Sequence, residues 1–120
     1  MQELNGYKVL RGTKEVDPRG LSPHVVGAKL DAGKQLPALV LEGFARALSA
    51  VADVGTYGAV KYTRNGWVEV ADGQFRYTNA MYRHLLKEAA GEVQDPDSNL
   101  LHAAHTAWNA LARLELMLRK

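Results

Sequence analysis

Apolar residues recur at spacings of three and four in three stretches of the chain, and glycine, proline and asparagine punctuate the segments between them. From Pro37 to Val54, Leu41, Phe44, Leu48, Val51 and Val54 keep this spacing and predict a helix. Pro37 suits its first turn, and Glu42 lies near the end where the helix dipole favours a carboxylate. Glu42 and Arg46 stand four apart, the spacing of a solvated ion pair; a metal ligand is the alternative reading of Glu42. A second helix is predicted from Phe75 to Ala90, with Tyr77, Ala80, Met81, Leu85 and Ala89 on one broad side and Gly91 ending it. A third is predicted from Leu100 to Leu118, N-capped by Ser98 or Asp97. Leu101, Ala104, Trp108, Leu111, Leu114 and Leu118 form its apolar stripe.

The other segments read as turns and short extended pieces. Tyr7 to Leu10 alternate briefly, and Asp17-Pro18-Arg19-Gly20 has the composition of a tight turn, since Pro presets φ and Gly tolerates positive φ. Gly55 and Gly58 are expected to interrupt the first helix. Asn65-Gly66 is a turn signal, and Val68 to Gln74 reads as a connecting loop. The fold class is therefore mainly α: a small bundle of three to four helices, residues 27–120, preceded by an irregular or short-β arm, residues 1–26. Such an arm suits wrapping a neighbouring subunit.

Composition narrows the function classes. The 120 residues are 47% hydrophobic and 23% charged, as in a soluble globular domain, and no apolar run approaches the roughly 18 to 20 residues of a membrane span. A domain of this size gains from oligomerisation, because a small core leaves much apolar surface uncovered. No signal-peptide pattern opens the chain, and cysteine is absent, which excludes disulfides and thiolate sites and fits a cytoplasmic protein. The net charge is only +2, and Lys and Arg are scattered without a basic stripe. Nucleic acid is therefore not the expected partner, whereas a small anionic ligand is compatible.

The chemistry-bearing residues cluster after Gly27. Lys29, Asp31 and Lys34 sit among Gly27, Gly33 and Ala residues in a run with phosphate-loop composition, although it is no Walker A motif. Tyr57, Tyr62 and Trp67 with Lys61 and Arg64 combine stacking surfaces and cations; aromatics in a small domain also serve as core. Arg76, Asn79, Arg83 and Lys87 share one helical face, which is either solvated or suited to phosphate. His84 and Glu88 are four apart near the core side and read as ligands or as a hydrogen-bonded pair. On the last helix His102, His105, Asn109 and Arg113 form a stripe within about 80° of one another, away from the leucines.

Taken in order, six blocks resemble a known family. They are Lys29-Leu30-Asp31-Ala32-Gly33-Lys34, the segment Thr56 to Tyr62, Asn65-Gly66-Trp67, Arg83-His84-Leu85, the segment Gly91 to Ser98, and His102 to Asn109. Together they resemble the phage and bacterial dATP/dGTP diphosphohydrolase N-terminal-type domain, a relative of the MazG-like all-α nucleoside triphosphate pyrophosphatases. The resemblance implies an oligomeric helical protein that binds a deoxynucleoside triphosphate with a divalent metal, magnesium or manganese, and releases monophosphate and pyrophosphate. It makes Glu92 and Asp95 metal ligands with His84, His102 and His105 beside them, and Glu88, Glu92 and Asp95 the catalytic carboxylates. Lys29, Lys34, Lys61 and Arg83 become phosphate contacts. Asp31, Tyr62, Asn65, Trp67, Asn109 and Arg113 complete the substrate-binding set.

The sequence departs from the family pattern at Gly66, Asp97 and Asn99, and it lacks the paired-carboxylate helices of the conventional MazG-like enzymes. Hard magnesium collects oxygen ligands, whereas imidazoles suit manganese, zinc or nickel. Two further readings follow: a non-catalytic protein that sequesters a nucleotide or nucleotide-derived signal, as in a conflict between phage and host defence, and a helical oligomerisation domain whose polar faces are merely solvated.

Overall fold

The structure is a computed structural model, and it describes residues 15–119 together with the backbone of two short strands. Those strands, β1 (Gln2–Leu4) and β2 (Tyr7–Val9), pair antiparallel with Gln2 opposite Val9. The expected alternation from Tyr7 to Val9 is thus strand, while Leu10 and Gly12 lie outside the described residues. Four helices follow: α1 (Ala38–Leu41), α2 (Ala45–Lys61), α3 (Gly73–Ala89) and α4 (His102–Arg119). A 3-10 turn spans Gly66–Glu69.

The segment before α1 is organised by one carboxylate. Asp17 is buried; its Oδ1 accepts the Arg19 N–H and its Oδ2 the Lys29 N–H, both at 2.7 Å. The Lys29 bond, the largest influence, holds its pKa below the usual carboxylate range. The expected tight turn is present, with the Gly20 N–H on the Asp17 carbonyl and Gly20 at φ 80°.

The helix expected from Pro37 to Val54 is split. It breaks between Leu41 and Ala45, where a Cβ on Gly43 would lie 2.5 Å from the Leu39 carbonyl oxygen. Its second half does not stop at the glycines and continues as α2 to Lys61. A mid-helix glycine costs roughly 1 kcal/mol relative to alanine, but Gly55 faces the Trp108 indole, whose Nε1 lies 3.5 Å from where a Cβ would be. Packing against α4 therefore outweighs propensity.

α3 and α4 pack antiparallel along their lengths: Gly73 meets Leu116, Thr78 meets Arg113, and His84 meets His102. Gly91, at φ 103°, ends α3 as the sequence predicts, and the Glu92 N–H reaches back to the Lys87 carbonyl, a six-to-one bond that reverses the chain. The loop back to α4 is pinned as a miniature hairpin, with a Gln94–Leu101 bridge and the His102 N–H on the Val93 carbonyl. Neither Asp97 nor Ser98 caps α4, which begins four residues beyond Ser98; the Ser98 hydroxyl accepts the Leu100 N–H within the loop instead.

α4 also turns in a way its pattern does not announce. His102, Ala104, His105, Asn109 and Ala112 are buried, whereas Leu101, Leu111 and Leu114 of the leucine stripe are exposed. The histidines and Asn109, with Ala104 and Trp108, face the rest of the chain, and the leucines of the stripe do not. Among the described residues the buried hydrophobics are only Val54, Ala104 and Ala112.

Half-buried aromatics join the helices where the core is thin. Trp67, Tyr77 and Trp108 meet edge to face at centroid distances of 5.6 to 6.2 Å, and the Tyr77 hydroxyl donates to the Trp67 carbonyl at 2.7 Å. Trp108→Ala should therefore lower the unfolding free energy by about 3 kcal/mol, measured by chemical denaturation, with loss of near-ultraviolet circular dichroism from the aromatic trio.

Candidate functional site: a cationic cleft over a histidine cluster

A cleft of about 1070 Å³ opens between the C-terminal half of α2, the segment 62–70, α3 and the first half of α4. Five cations line it: Lys61 from α2, Arg64 from the turn, and Arg76, Arg83 and Lys87 from α3. Three of the four residues on the basic face of α3 thus point into one space, and Asn79 does not. Opposing them are only two carboxylates, Asp95 and Asp97. Such a cleft carries a positive potential, focused by its low-dielectric walls, and favours an anion with several charges.

Tyr57, Tyr62, Trp67, Tyr77 and Trp108 line the same space. The Lys61 ammonium lies 5.7 and 5.3 Å from the Tyr57 and Tyr62 ring centroids. Tyr62 is exposed and presents an open ring surface, while Trp67 is held from behind by Tyr77 and Trp108. Asn65, in a left-handed conformation at φ 59°, delivers the chain from α2 into the turn that carries Trp67.

At the deep end lie the histidines. His102 is fully buried, and its Nε2 lies 2.7 Å from Glu92 Oε1. The carboxylate is an acceptor, so Nε2 carries the proton and the Nδ1 of neutral His102 keeps its lone pair. That lone pair points at His84 Nδ1, 2.8 Å away, and His84 Nδ1 lies 3.8 Å from Asp95 Oδ2. His84 stacks on His105 at 4.4 Å, with 8° between the ring planes, and His105 Nε2 pairs with the Ser98 hydroxyl at 2.7 Å. α3, the loop after it and α4 thus meet through three imidazoles.

His84, Asp95 and His102 each offer one ligand atom, all within 4.8 Å of one another. Two imidazole nitrogens and one carboxylate oxygen fit a borderline cation such as manganese or zinc better than hard magnesium. Glu92 stands behind His102 as the carboxylate that fixes a ligating histidine's tautomer. It is thus placed one step away from the position that the sequence reading assigned to it.

Burial, reinforced by His105 and His102, pushes the His84 pKa down to about 4, against the opposing pull of Asp95. Burial also lowers His105. For Asp95, burial pushes upward but is outweighed by hydrogen bonds from the Asp97 and Ser98 N–H groups and by the two histidines, so its pKa is lowered. Near neutrality His84 and His105 are therefore neutral imidazoles beside an ionised Asp95 carboxylate.

The remaining sequence candidates lie elsewhere. The Lys29 backbone is tied to Asp17, and Lys34 Nζ pairs with Glu15 at 3.1 Å; neither lysine nor Asp31 lines the cleft. Arg113 reaches the Thr78 hydroxyl and clamps α3 to α4 outside the cleft. Glu88 is exposed on α3 and does not line it either. Asn109 lines the cleft while its amide donates to the His105 carbonyl at 2.8 Å. Tyr77, Trp108 and Asp97 are cleft residues that the sequence did not single out, because their spacing marked them as apolar stripe and turn.

A His whose folded pKa lies below its unfolded value of about 6.5 leaves the unfolded state binding more protons between the two values, so stability is lost as pH falls through that window. Metal-free protein should accordingly lose about 2 kcal/mol between pH 7 and pH 5 through His84 alone. Urea titrations at the two pH values check this, and His84→Gln should remove most of the difference.

No curated protein and no solved structure matches the chain. A family model described as dATP/dGTP diphosphohydrolase, N-terminal, matches residues 24–120, a span that holds the whole cleft and the histidine cluster. On that match the chain belongs to the dATP/dGTP diphosphohydrolase N-terminal domain family.

Proposed function

We propose that the cleft binds a deoxynucleoside triphosphate and that the protein hydrolyses it to monophosphate and pyrophosphate with the aid of a divalent metal. The observation that carries this reading is the convergence of five cations and an exposed aromatic surface on one cleft whose floor carries His84, Asp95 and His105, with buried His102 behind His84. The family adds a nucleotide hydrolase context.

The division of labour follows from position. Arg76, Arg83 and Lys87 stand two turns and then one turn apart along α3 and suit an extended polyphosphate, with Arg forks matching phosphate oxygens in pairs. Charge that accumulates on departing pyrophosphate is neutralised by these fixed cations at no reorganisation cost. Tyr62 and Trp67 offer faces for a base, and Asn65 offers an amide next to them. His84, His102 and Asp95 would hold the cation, which when bound supplies Lewis acidity toward a phosphate oxygen. The ionised Asp95 carboxylate also orients the cluster, since its Oδ1 is fixed by the Asp97 N–H at 2.7 Å while Oδ2 faces His84.

A second reading is favoured by one feature: only two carboxylates face the cleft against five cations. That balance suits retention of a nucleotide or nucleotide-derived signal as well as turnover.

Purified protein incubated with each dNTP and with magnesium, manganese or zinc should yield monophosphate and pyrophosphate, resolved by ion-exchange chromatography. Arg83→Ala should raise KM about tenfold, the loss of one charge-assisted contact worth about 1.5 kcal/mol. Asp95→Asn keeps the acceptor for the Asp97 N–H and should abolish turnover while leaving nucleotide binding within about threefold. Binding with every nucleotide recovered intact would select the sequestering reading, and no binding at all would overturn both.

A further inference from the structure

The cations of α3 reach further than a triphosphate does. Arg83 and Lys87 stand one turn apart, roughly 6 Å along the helix axis, and the two P–O–P bridges of a triphosphate fit beside that pair. Arg76 lies two turns nearer the start of the helix, roughly 10 Å from Arg83. Its guanidinium leans away from the pair, with Nη1 donating to the Ala71 carbonyl at 3.3 Å. Arg76 and the Arg83–Lys87 pair are therefore separate stations along one wall of the cleft.

Between the stations the wall is uncharged. Tyr77 and Ala80 are the α3 residues that line the cleft there, and Tyr77 is backed edge to face by Trp67 and Trp108. Aromatic rings and a methyl group receive a base and a sugar, whereas a phosphate placed against them would lack a counter-charge. The cleft, at about 1070 Å³, has room for such a body together with anions on either side of it.

The carboxylates are also placed unevenly. Asp95 faces His84, and its Oδ1 holds the Asp97 N–H, so both acidic groups stand at the Arg83–Lys87 end. Among the described residues no carboxylate pairs with Arg76, which is exposed to the cleft with its charge uncompensated. From one end of α3 to the other the cleft thus presents a cation, a neutral surface, and then two cations beside the imidazoles. A ligand that matches it carries an anion, a neutral body and a second anionic group in the same order.

We propose that Arg76 is a second anion subsite, and that the cleft takes a nucleotide phosphorylated on both sides of its sugar, with the 5′ phosphates at Arg83 and Lys87 and a 3′ phosphate at Arg76. This rests on the reading of the cleft as a deoxynucleotide site, and that reading fixes the position. A deoxyribose has no 2′ hydroxyl, so the 3′ oxygen is where a second phosphate attaches. The ligand is a free nucleotide and not the end of a strand, because the net charge is only +2 and the chain has no basic run to follow a nucleic-acid backbone.

Calorimetric titration of the metal-free protein tests this with 2′-deoxyadenosine 5′-monophosphate, the 5′-diphosphate and the 3′,5′-bisphosphate; the last two have the same number of phosphates in different places. The 3′,5′-bisphosphate should bind about tenfold tighter than the monophosphate, the gain of one charge-assisted contact. Arg76→Gln should erase that gain and change the Kd of the 5′-diphosphate by no more than about twofold, as for independent sites. Arg83→Ala should weaken all three. A bisphosphate that binds no tighter than the monophosphate would overturn the proposal. So would an Arg76→Gln variant that loses affinity equally for the 5′-diphosphate and the bisphosphate, which would return Arg76 to the linear polyphosphate. In both cases nucleotide binding persists and the reading of the cleft stands, whereas no binding by any of the three overturns both. The dinucleotide 5′-pdApdA presents the same 3′ phosphate as a diester, and affinity equal to that of the bisphosphate would overturn the free-nucleotide form in favour of a strand end.

Discussion

The structure depends on the burial of one imidazole. His102 has no exposed surface, and its two ring nitrogens are committed in opposite directions, to the Glu92 carboxylate and to His84. A buried polar side chain is tolerated only when its hydrogen-bonding capacity is met. Meeting it requires α3, the reversing loop and α4 to stand in one relation to one another. The loop is held accordingly, by the Gly91 reversal, by the Gln94–Leu101 bridge and by Asp95, whose own carboxylate grips the turn that it starts.

Everything else on α4 follows from that commitment. With His102, His105 and Asn109 turned inward, the leucine face is turned outward, and the described residues keep a core of small or partly covered hydrophobics. Stability within the chain falls largely to the half-buried trio of Trp67, Tyr77 and Trp108. The polar cluster and the apolar outer face are two consequences of one helix rotation.

The cleft inherits its character from the same arrangement. α3 is rotated so that His84 meets His102, which sends Arg76, Arg83 and Lys87 to the adjacent side. α2 approaches α4 through Gly55 and brings Tyr57 against His105 at 6.3 Å. The cations therefore stand over the imidazoles as a geometric result of helix packing, and a ligand that reaches the floor must pass them.

Much was legible in the sequence. Three helical stretches follow from three- and four-residue periodicity, the Gly91 stop from the freedom of glycine at positive φ, and the six ordered blocks from residue identity alone. The local signals failed where a distant residue intervened. Gly55 and Gly58 looked like helix breakers, but α2 runs through both, with Gly55 lying beside the Trp108 indole of α4. Lys29 and Lys34 had the composition of a phosphate loop, but Asp17 and Glu15 hold them elsewhere. Glu92 reads as a ligand in one dimension; in three it pairs with His102 Nε2, on the opposite side of that ring from His84. Periodicity determined that α4 has a leucine stripe and a histidine stripe; only the tertiary structure decided which of them faces inward. Side-chain hydropathy favours burying leucine, and a fully satisfied imidazole network reversed that preference.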